Sequence, residues 1–367
     1  MKALLIFGGF ALAMFLGFYP GGVAKPRPAW WRAIAMVAIV VLVIVGFGVP
    51  TGGRFGSAKM ITMTKDVPPL LPVMGEVMQA PTNGIAVLRD ADGDLDTFRL
   101  AGPAMNPSDI RLGDQVILDA RFVRSEKLFE AERIASVNPI VTAPLIPGLE
   151  ERARNLYFHV PSAWVAQIAW FVAFGFAIAY LRKRKIEHDV IASSAAALGG
   201  VFCLLATITG SVWARFNWGT FWTWDDPRLI SITIVLIVFG AYFALRSAIE
   251  HQDQRARISA VYMSILVLPV TFFMFVYPRI AGGLHPGSKG DVNSGPVLSG
   301  EADAMNIVMQ VIYGLAIFSF ILLYFWMLNV AVRTRLLELR RQRRAVAVNN
   351  REKQSPSAMG PAVVRLD

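Results

Sequence analysis

Seven long apolar runs, at residues 3–19, 30–50, 162–181, 190–212, 229–246, 258–278 and 304–328, decide most of what this chain can fold into. Each is close to the twenty or so residues that a hydrocarbon core asks of a helix. With 55% hydrophobic and only 17% charged residues, the expectation is a polytopic all-α membrane protein. The first run is the ambiguous one. Only Lys2 precedes it, whereas Lys25, Arg27 and Arg32 follow it, and a secretory signal carries its charge ahead of the apolar core. That bias favours an extra, uncleaved N-terminal span with its N-terminus outside, ahead of a six-span core that starts at the second run. Cleavage near Gly22-Val23-Ala24 is the alternative.

The net charge of +10 is concentrated in alternate connections. Arg182-Lys183-Arg184-Lys185, then Arg246, Arg255 and Arg257, then Arg333 to Arg344 are strongly basic, which assigns these connections and the C-terminus to the cytoplasm. The connections 51–161, 213–228 and 279–303 then face outside. In this setting the basic residues reflect orientation in an inner membrane, with lipid as the partner and no nucleic acid. The single cysteine, Cys203, lies within an apolar run. This leaves no disulfide and no Cys-x-x-Cys pair, only a small buried side chain.

Residues 53–150 interrupt the first outer connection and read as a small β domain. Period-2 alternation marks strands at Val73–Met78, Ile85–Asp90, Asp96–Leu100, Asp114–Val123 and Leu128–Ile134, with Asp92-Gly93 as a hairpin turn. Five such strands suit an OB-like barrel. The domain contains no histidine and its strands lack the exposed aromatics on which bases stack. It reads as a docking or shielding module, with an inert insertion as the alternative. The chain thus divides into residues 1–29 (extra helix and basic loop), 30–52 (first core span), 53–150 (β insertion), 151–332 (membrane core) and 333–367. The last is a basic cytoplasmic tail whose composition beyond Val348 is that of a disordered end.

One outer connection holds Trp218-Gly219-Thr220-Phe221-Trp222-Thr223-Trp224-Asp225: three of the nine tryptophans in eight residues, with Trp213 just upstream. An interfacial belt explains tryptophan near headgroups, and Trp30 and Trp31 fit that role. It does not explain a fixed spacing. In a helical stretch Trp218 and Trp222 share a face with Phe221 and Trp224 beside them, and Gly219 leaves room for a flat ligand. Of the four histidines, His188 and His251 fall in basic connections, while His159 and His285 fall on the tryptophan side. His159-Val160-Pro161 sets the first imidazole at a helix start with proline in the first turn. His285 sits in the glycine- and proline-bounded loop Gly282-Gly283-Leu284-His285-Pro286-Gly287.

The order His159-Val160-Pro161, then Trp218 to Asp225, then Leu284-His285 resembles the tryptophan-rich haem-handling proteins of cytochrome c maturation, and within them the CcmC haem-transfer family. The resemblance covers roughly residues 30–50 and 155–335. It implies non-covalent haem b on the outer face, with His159 and His285 as axial ligands of the iron. Trp218, Gly219, Phe221, Trp222, Trp224, Asp225 and Arg228 would surround the haem, and Arg215, Arg228 and Arg279 are the cations near enough in sequence for its propionates. It implies a transfer subunit and not an enzyme, handing haem to a periplasmic chaperone of the CcmE type. The ABC-type maturation subunits of the CcmA, CcmB and CcmD types are the implied partners, since no nucleotide-binding loop is present in this sequence. Two departures stand out. Asp225-Asp226-Pro227-Arg228-Leu229 is one residue longer than the family pattern, and Pro286-Gly287-Ser288 replaces Gln-Gly-Ser.

Two other readings compete. A cytochrome c synthetase of the related CcsA-like type carries further histidines within its spans, and none lies within a span here. A secondary transporter usually needs an ionisable residue at mid-membrane, and no Asp, Glu, Lys or Arg interrupts the centre of any run.

Overall fold

The computed structural model describes residues 2–63, 65, 68–103, 105–147, 149–285 and 305–354. Its helices are α1 (Lys2–Phe18), α2 (Ala29–Gly48), α3 (Phe55–Met63), α4 (Leu156–Lys183), α5 (Ile186–Trp218), α6 (Pro227–Ser247), α7 (Gln252–Thr271), α8 (Tyr277–Ile280) and α9 (Ile307–Gln354). Its strands are β1 (Thr51–Gly52), β2 (Leu71–Thr82), β3 (Ile85–Arg89), β4 (Leu95–Leu100), β5 (Gln115–Val123), β6 (Leu128–Val137) and β7 (Ala143–Pro144). Among the described residues six helical segments are long and apolar enough to cross a membrane: α2, α4, α5, α6, α7 with α8, and α9.

The bundle closes on small residues. Ala192, Ser193, Ser194, Ala195, Ala196, Gly199 and Cys203 of α5 and Ala166, Ala169, Ala173 and Ala177 of α4 are all buried or close-packed along this contact. A Cβ on Gly199 would come within 3.1 Å of both the Ala169 Cβ and the Phe239 ring. Apolar driving force between helices is weak in lipid, so backbone approach of this kind does the work. Cys203 is buried in that contact as a free thiol, as its position in the sequence suggests. At the far end of the bundle Arg246 donates to both Asp189 oxygens at 2.7 and 2.9 Å, joining α6 to α5.

Helix α1 has 17 residues, about 25 Å at 1.5 Å per residue, and is shorter than the six long apolar helices. It runs alongside α9 in the same direction: Gly9 meets Gly314, and Gly17 meets Phe325. Its C-terminal carbonyls would be orphans. The buried Arg27 caps them, donating to Leu16 O, Gly17 O, Tyr19 O and Pro20 O. Trp31 adds its indole N–H to Leu16 O at 2.8 Å and lies under the Arg27 guanidinium. Asn329 of α9 donates to Val23 O and Lys25 O at 2.7 Å each. Trp31 is 1% exposed, so it is a structural donor and not the interfacial anchor expected; Trp30 is half exposed. The residues of the alternative cleavage stretch lie in this packed loop, with Val23 buried.

The insertion is a closed barrel in the order β2-β3-β4-β6-β5, with β4 and β6 parallel and the remaining pairs antiparallel. That is the strand order of an OB-type barrel. Alternate residues of β2 point inward, and the interior is a phenylalanine cluster in which the Phe98 and Phe129 rings stack at 4.8 Å. The helix α3 was not foreseen; it plugs the barrel with Phe55, whose backbone N–H is received by Asp90. The same carboxylate receives Asp92 N and Asp94 N in the β3–β4 turn, where Gly93 takes φ +90°. The two chains joining barrel to bundle lie side by side, Thr51 opposite Ala143 and Gly52 opposite Pro144. Arg154 clamps them to α2 through Gly46 O, Val49 O and Thr51 Oγ1.

The tail continues the last span as one helix to Gln354, past Val348 where order was expected to end; residues 355–367 lie outside the described residues.

Candidate functional site

The barrel, the start of α4, the end of α5, the start of α6 and the segment after α8 share one end of the bundle. His159 lies inside α4, not ahead of it, because the helix begins at Leu156 and contains Pro161. Its ring packs onto α5. Nδ1 is 3.0 Å from Ala206 O and 3.1 Å from Thr209 Oγ1. A carbonyl only accepts, so Nδ1 carries the proton and Nε2 keeps its lone pair. The Thr209 hydroxyl donates to Leu205 O at 2.8 Å, leaving its oxygen free to receive the imidazole. Gly210 makes the room: a Cβ there would lie 2.7 Å from His159 Cε1.

The tryptophan stretch is not helical as a whole. Helix α5 ends at Trp218, and Gly219 turns the chain in the left-handed region at φ +77°. Consequently Trp218 and Trp222 do not share a helical face. Trp218 meets Trp213 edge-on at 5.4 Å, while Trp222 meets Trp224 at 5.7 Å. Ser211 donates to Phe221 O at 2.9 Å, and Arg215 donates to Gly219 O and lies over the Phe221 ring. Thr223 donates to Asp225 at 3.1 Å, a local turn that leaves Asp225 exposed. Phe221 and Trp224 stand out from the surface, 56% and 65% exposed.

Asp226, not Asp225, is the acid that organises the site. It is wholly buried. As N-cap of α6 it receives Arg228 N at 2.9 Å and Leu229 N at 3.3 Å, with Pro227 in the first helical position. Its second oxygen receives Leu284 N at 3.0 Å, and its first receives His285 Nδ1–H at 3.1 Å. Burial by itself would raise the Asp226 carboxyl. The hydrogen bond and charge of His285, with the Leu284 and Arg228 backbone N–H groups, outweigh it and hold the group at about 2. Burial pushes His285 below its ordinary value and Arg228 adds to this, while Asp226 pulls the other way. His285 is therefore neutral at pH 7, with Nδ1–H toward Asp226 and Nε2 unprotonated. Trp213 stacks on its ring at 5.7 Å and Trp218 meets it edge-on at 4.8 Å.

The two histidines form one cluster. Both pack on the end of α5, His159 against Ala206, Thr209 and Gly210 and His285 against Trp213 and Trp218. Arg279 donates to Phe275 O and lies over the Phe275 ring, beside a π-helical turn at Phe272–Val276; such turns often mark functional positions. Among the described residues no group of three or more His, Cys, Asp or Glu is placed to hold a bare metal ion. Two imidazoles with Nδ1 engaged and Nε2 unprotonated, an aromatic wall and two guanidiniums instead suit a flat anionic group that brings its own metal ligands.

Comparison with known proteins bears on the same segments. The family model described as "Heme exporter protein C" matches residues 133–347, more than half of the chain. The chain belongs to the heme exporter protein C family. It is 30% identical over 192 residues to the heme exporter protein C of Paracoccus denitrificans, covering 52% of this chain and 75% of that relative. It is 32% identical over 212 residues to that of Rhodobacter capsulatus, covering 57% and 82%. The Escherichia coli K12 relative is 31% identical over 138 residues, or 37% and 54%. As a member of the heme exporter protein C family, the chain carries His159, the tryptophan stretch and His285 inside the matched range. Helices α1 to α3 and nearly all of the barrel lie before it, so the resemblance expected over residues 30–50 falls outside the match.

Four site features went unread in the sequence: Asp226, Trp213, Gly210 and the carbonyl-plus-hydroxyl seat of His159. Asp226-Pro227 was legible as an N-cap followed by a first-turn proline. The Pro286-Gly287-Ser288 departure lies outside the described residues.

Proposed function

We propose that this chain binds haem b non-covalently at the outer face of the cytoplasmic membrane. It holds the iron between His159 and His285 and passes the haem to a periplasmic chaperone during cytochrome c maturation. The observation that carries this reading is the matched state of the two imidazoles: each has its Nδ1 engaged and its Nε2 available, as a neutral axial ligand requires. Trp213, Trp218, Trp222, Trp224 and Phe221 supply the apolar faces, and Arg228 and Arg279 are the cations placed for propionates. Haem brings the porphyrin and iron; the chain fixes the imidazoles, excludes water with indoles and offsets the carboxylates. The basic connections argue for a cytoplasmic far end, which puts the barrel outside, as a docking surface beside the site. The ATPase pair and the small membrane subunit of the maturation complex are the proposed assembly partners.

The deciding measurement is haem content by visible spectroscopy in four single variants. His159→Ala and His285→Ala should each lose most of the Soret absorbance per folded molecule. His188→Ala and His251→Ala should keep it. Equal haem in all four would remove the ligand assignment.

A further inference from the structure

The two imidazoles are seated on different chemistry. His285 gives its Nδ1–H to a carboxylate that is fully buried and held by three backbone N–H groups. His159 gives its Nδ1–H to two neutral oxygens, and one of them, Ala206 O, is also in reach of the Thr209 hydroxyl at 3.2 Å. A hydrogen bond to an ionised acceptor is roughly twice as strong as one between neutral groups. Such a bond pushes electron density onto the far nitrogen and raises its basicity as a ligand. Burial keeps the Asp226 charge from being screened. Two indoles also pin the His285 ring, whereas no aromatic contact is recorded for His159 among the described residues; its ring is seated against Gly210.

We propose that Asp226 makes His285 the retaining ligand, and that His159 is the ligand released first when haem is handed on. Asp226 is a positioning residue: it acts through His285 and does not touch the iron. This inference rests on the two-histidine reading above. It adds an order to the transfer. With haem bound, His159 Nε2 would let go first and His285 Nε2 would hold on until the acceptor has supplied its own ligand, a ligand exchange without a change of oxidation state. The strong donor also favours the ferric state, because anionic character on an axial ligand stabilises the higher charge.

The test uses the purified full chain loaded with haem b. Asp226→Asn is the central variant, because asparagine caps a helix as well as aspartate; it removes the charge and leaves one acceptor oxygen in place of two, so the Leu284 N–H loses its acceptor while the one toward His285 is kept. It should keep a six-coordinate spectrum, show a higher midpoint potential, and lose haem to excess apomyoglobin about 10- to 100-fold faster, the usual range for losing such a partner. The mirror variant is Thr209→Asp, which puts a carboxylate beside His159 Nδ1. It should lower the potential and slow release. A merely structural role for Asp226 would leave the potential unmoved in the folded variant. An Asp226→Asn protein with wild-type potential and release rate overturns the proposal. If that variant does not accumulate, Thr209→Asp decides: slower release supports the asymmetry, and unchanged or faster release ends it. Full haem retention in His285→Ala would instead bring down the underlying ligand reading.

Discussion

The barrel and the bundle meet at one end of the molecule yet are held together differently. The barrel is self-contained. Its interior is Phe55, Phe98, Phe122 and Phe129 in ring contact, and its outer face carries cross-strand ion pairs such as Glu76–Arg89, Asp119–Arg133 and Arg121 with Glu130 and Glu132. Exposed pairs of this kind contribute little energy, but they meet each other's demands. The bundle holds its ion pairs at its ends, while along its length it buries neutral polar contacts such as Gln167 Nε2 to Thr271 Oγ1 at 3.0 Å. At the far end, Asp189 and Arg246 pair fully. At the near end, Asp226 gathers Arg228 N, Leu229 N, Leu284 N and His285 Nδ1–H, while the buried Trp222 Nε1 has no hydrogen-bond partner among the described residues. The barrel thus closes its contacts within one stretch of chain, whereas the near end of the bundle draws residues far apart in sequence, such as Asp226 and His285, into one contact.

That contrast predicts separable failures. The largest effect is expected from Phe129→Ala, which should cost the barrel about 3–5 kcal/mol as a core truncation. It should make the barrel protease-sensitive and leave the haem spectrum of the bundle intact; parallel loss of haem would show that the two regions are not independent.

Next in size is the triple replacement of Trp218, Trp222 and Trp224 by leucine. At about 0.5–1.5 kcal/mol per stacked ring, the sum corresponds to weakening haem binding on the order of ten- to a thousand-fold, with insertion and barrel stability unchanged. Trp30 and Trp31, replaced together, should reverse the pattern, since Trp31 braces the end of α1. A full haem load in the loop variant would reduce the tryptophans to interfacial anchors.

The smallest effect concerns pH. Asp226 is depressed in the folded chain, so its contribution to stability is complete above the ordinary carboxyl range near 3.8 and is lost only as pH falls through about 2. His285 is also depressed from 6.5. Below 6.5 an unfolded chain takes up a proton there that the folded chain refuses, so stability declines from that point downward while the folded imidazole stays neutral. Bound haem should therefore persist when pH is lowered from 7.5 through 6.5. A Soret loss with a midpoint at or above 6.5 would show that His285 titrates as an ordinary exposed histidine.

Much of this architecture was legible because its signals are local. Period-2 alternation gave all five barrel strands to within a few residues, and hydropathy gave the six long apolar helices of the bundle. The tryptophan motif flagged one loop, and its order with two histidines gave the family. What escaped depends on contacts between distant segments. Nothing near residue 226 announces that its carboxylate meets residues 284 and 285, and the Gly210 notch has meaning only once His159 is laid against it. Helix α3 was missed because a nine-residue helix with little amphipathic pattern is defined by the barrel mouth it fills. Trp31 looked like a belt residue because the carbonyl it serves belongs to the preceding helix.

The pairing of α1 with α9 has a consequence in time. Asn329 and the Val23 carbonyl it holds are 306 residues apart, and synthesis runs at about 5–20 residues per second. Helix α1 therefore waits roughly a quarter of a minute to a full minute for this neighbour. Arg27 closes the carbonyls of α1 over a separation of only 7 to 11 residues, so that cap is complete long before α9 exists. The nascent chain thus carries a finished helix end in reserve, and α9 locks α1 in place once it emerges.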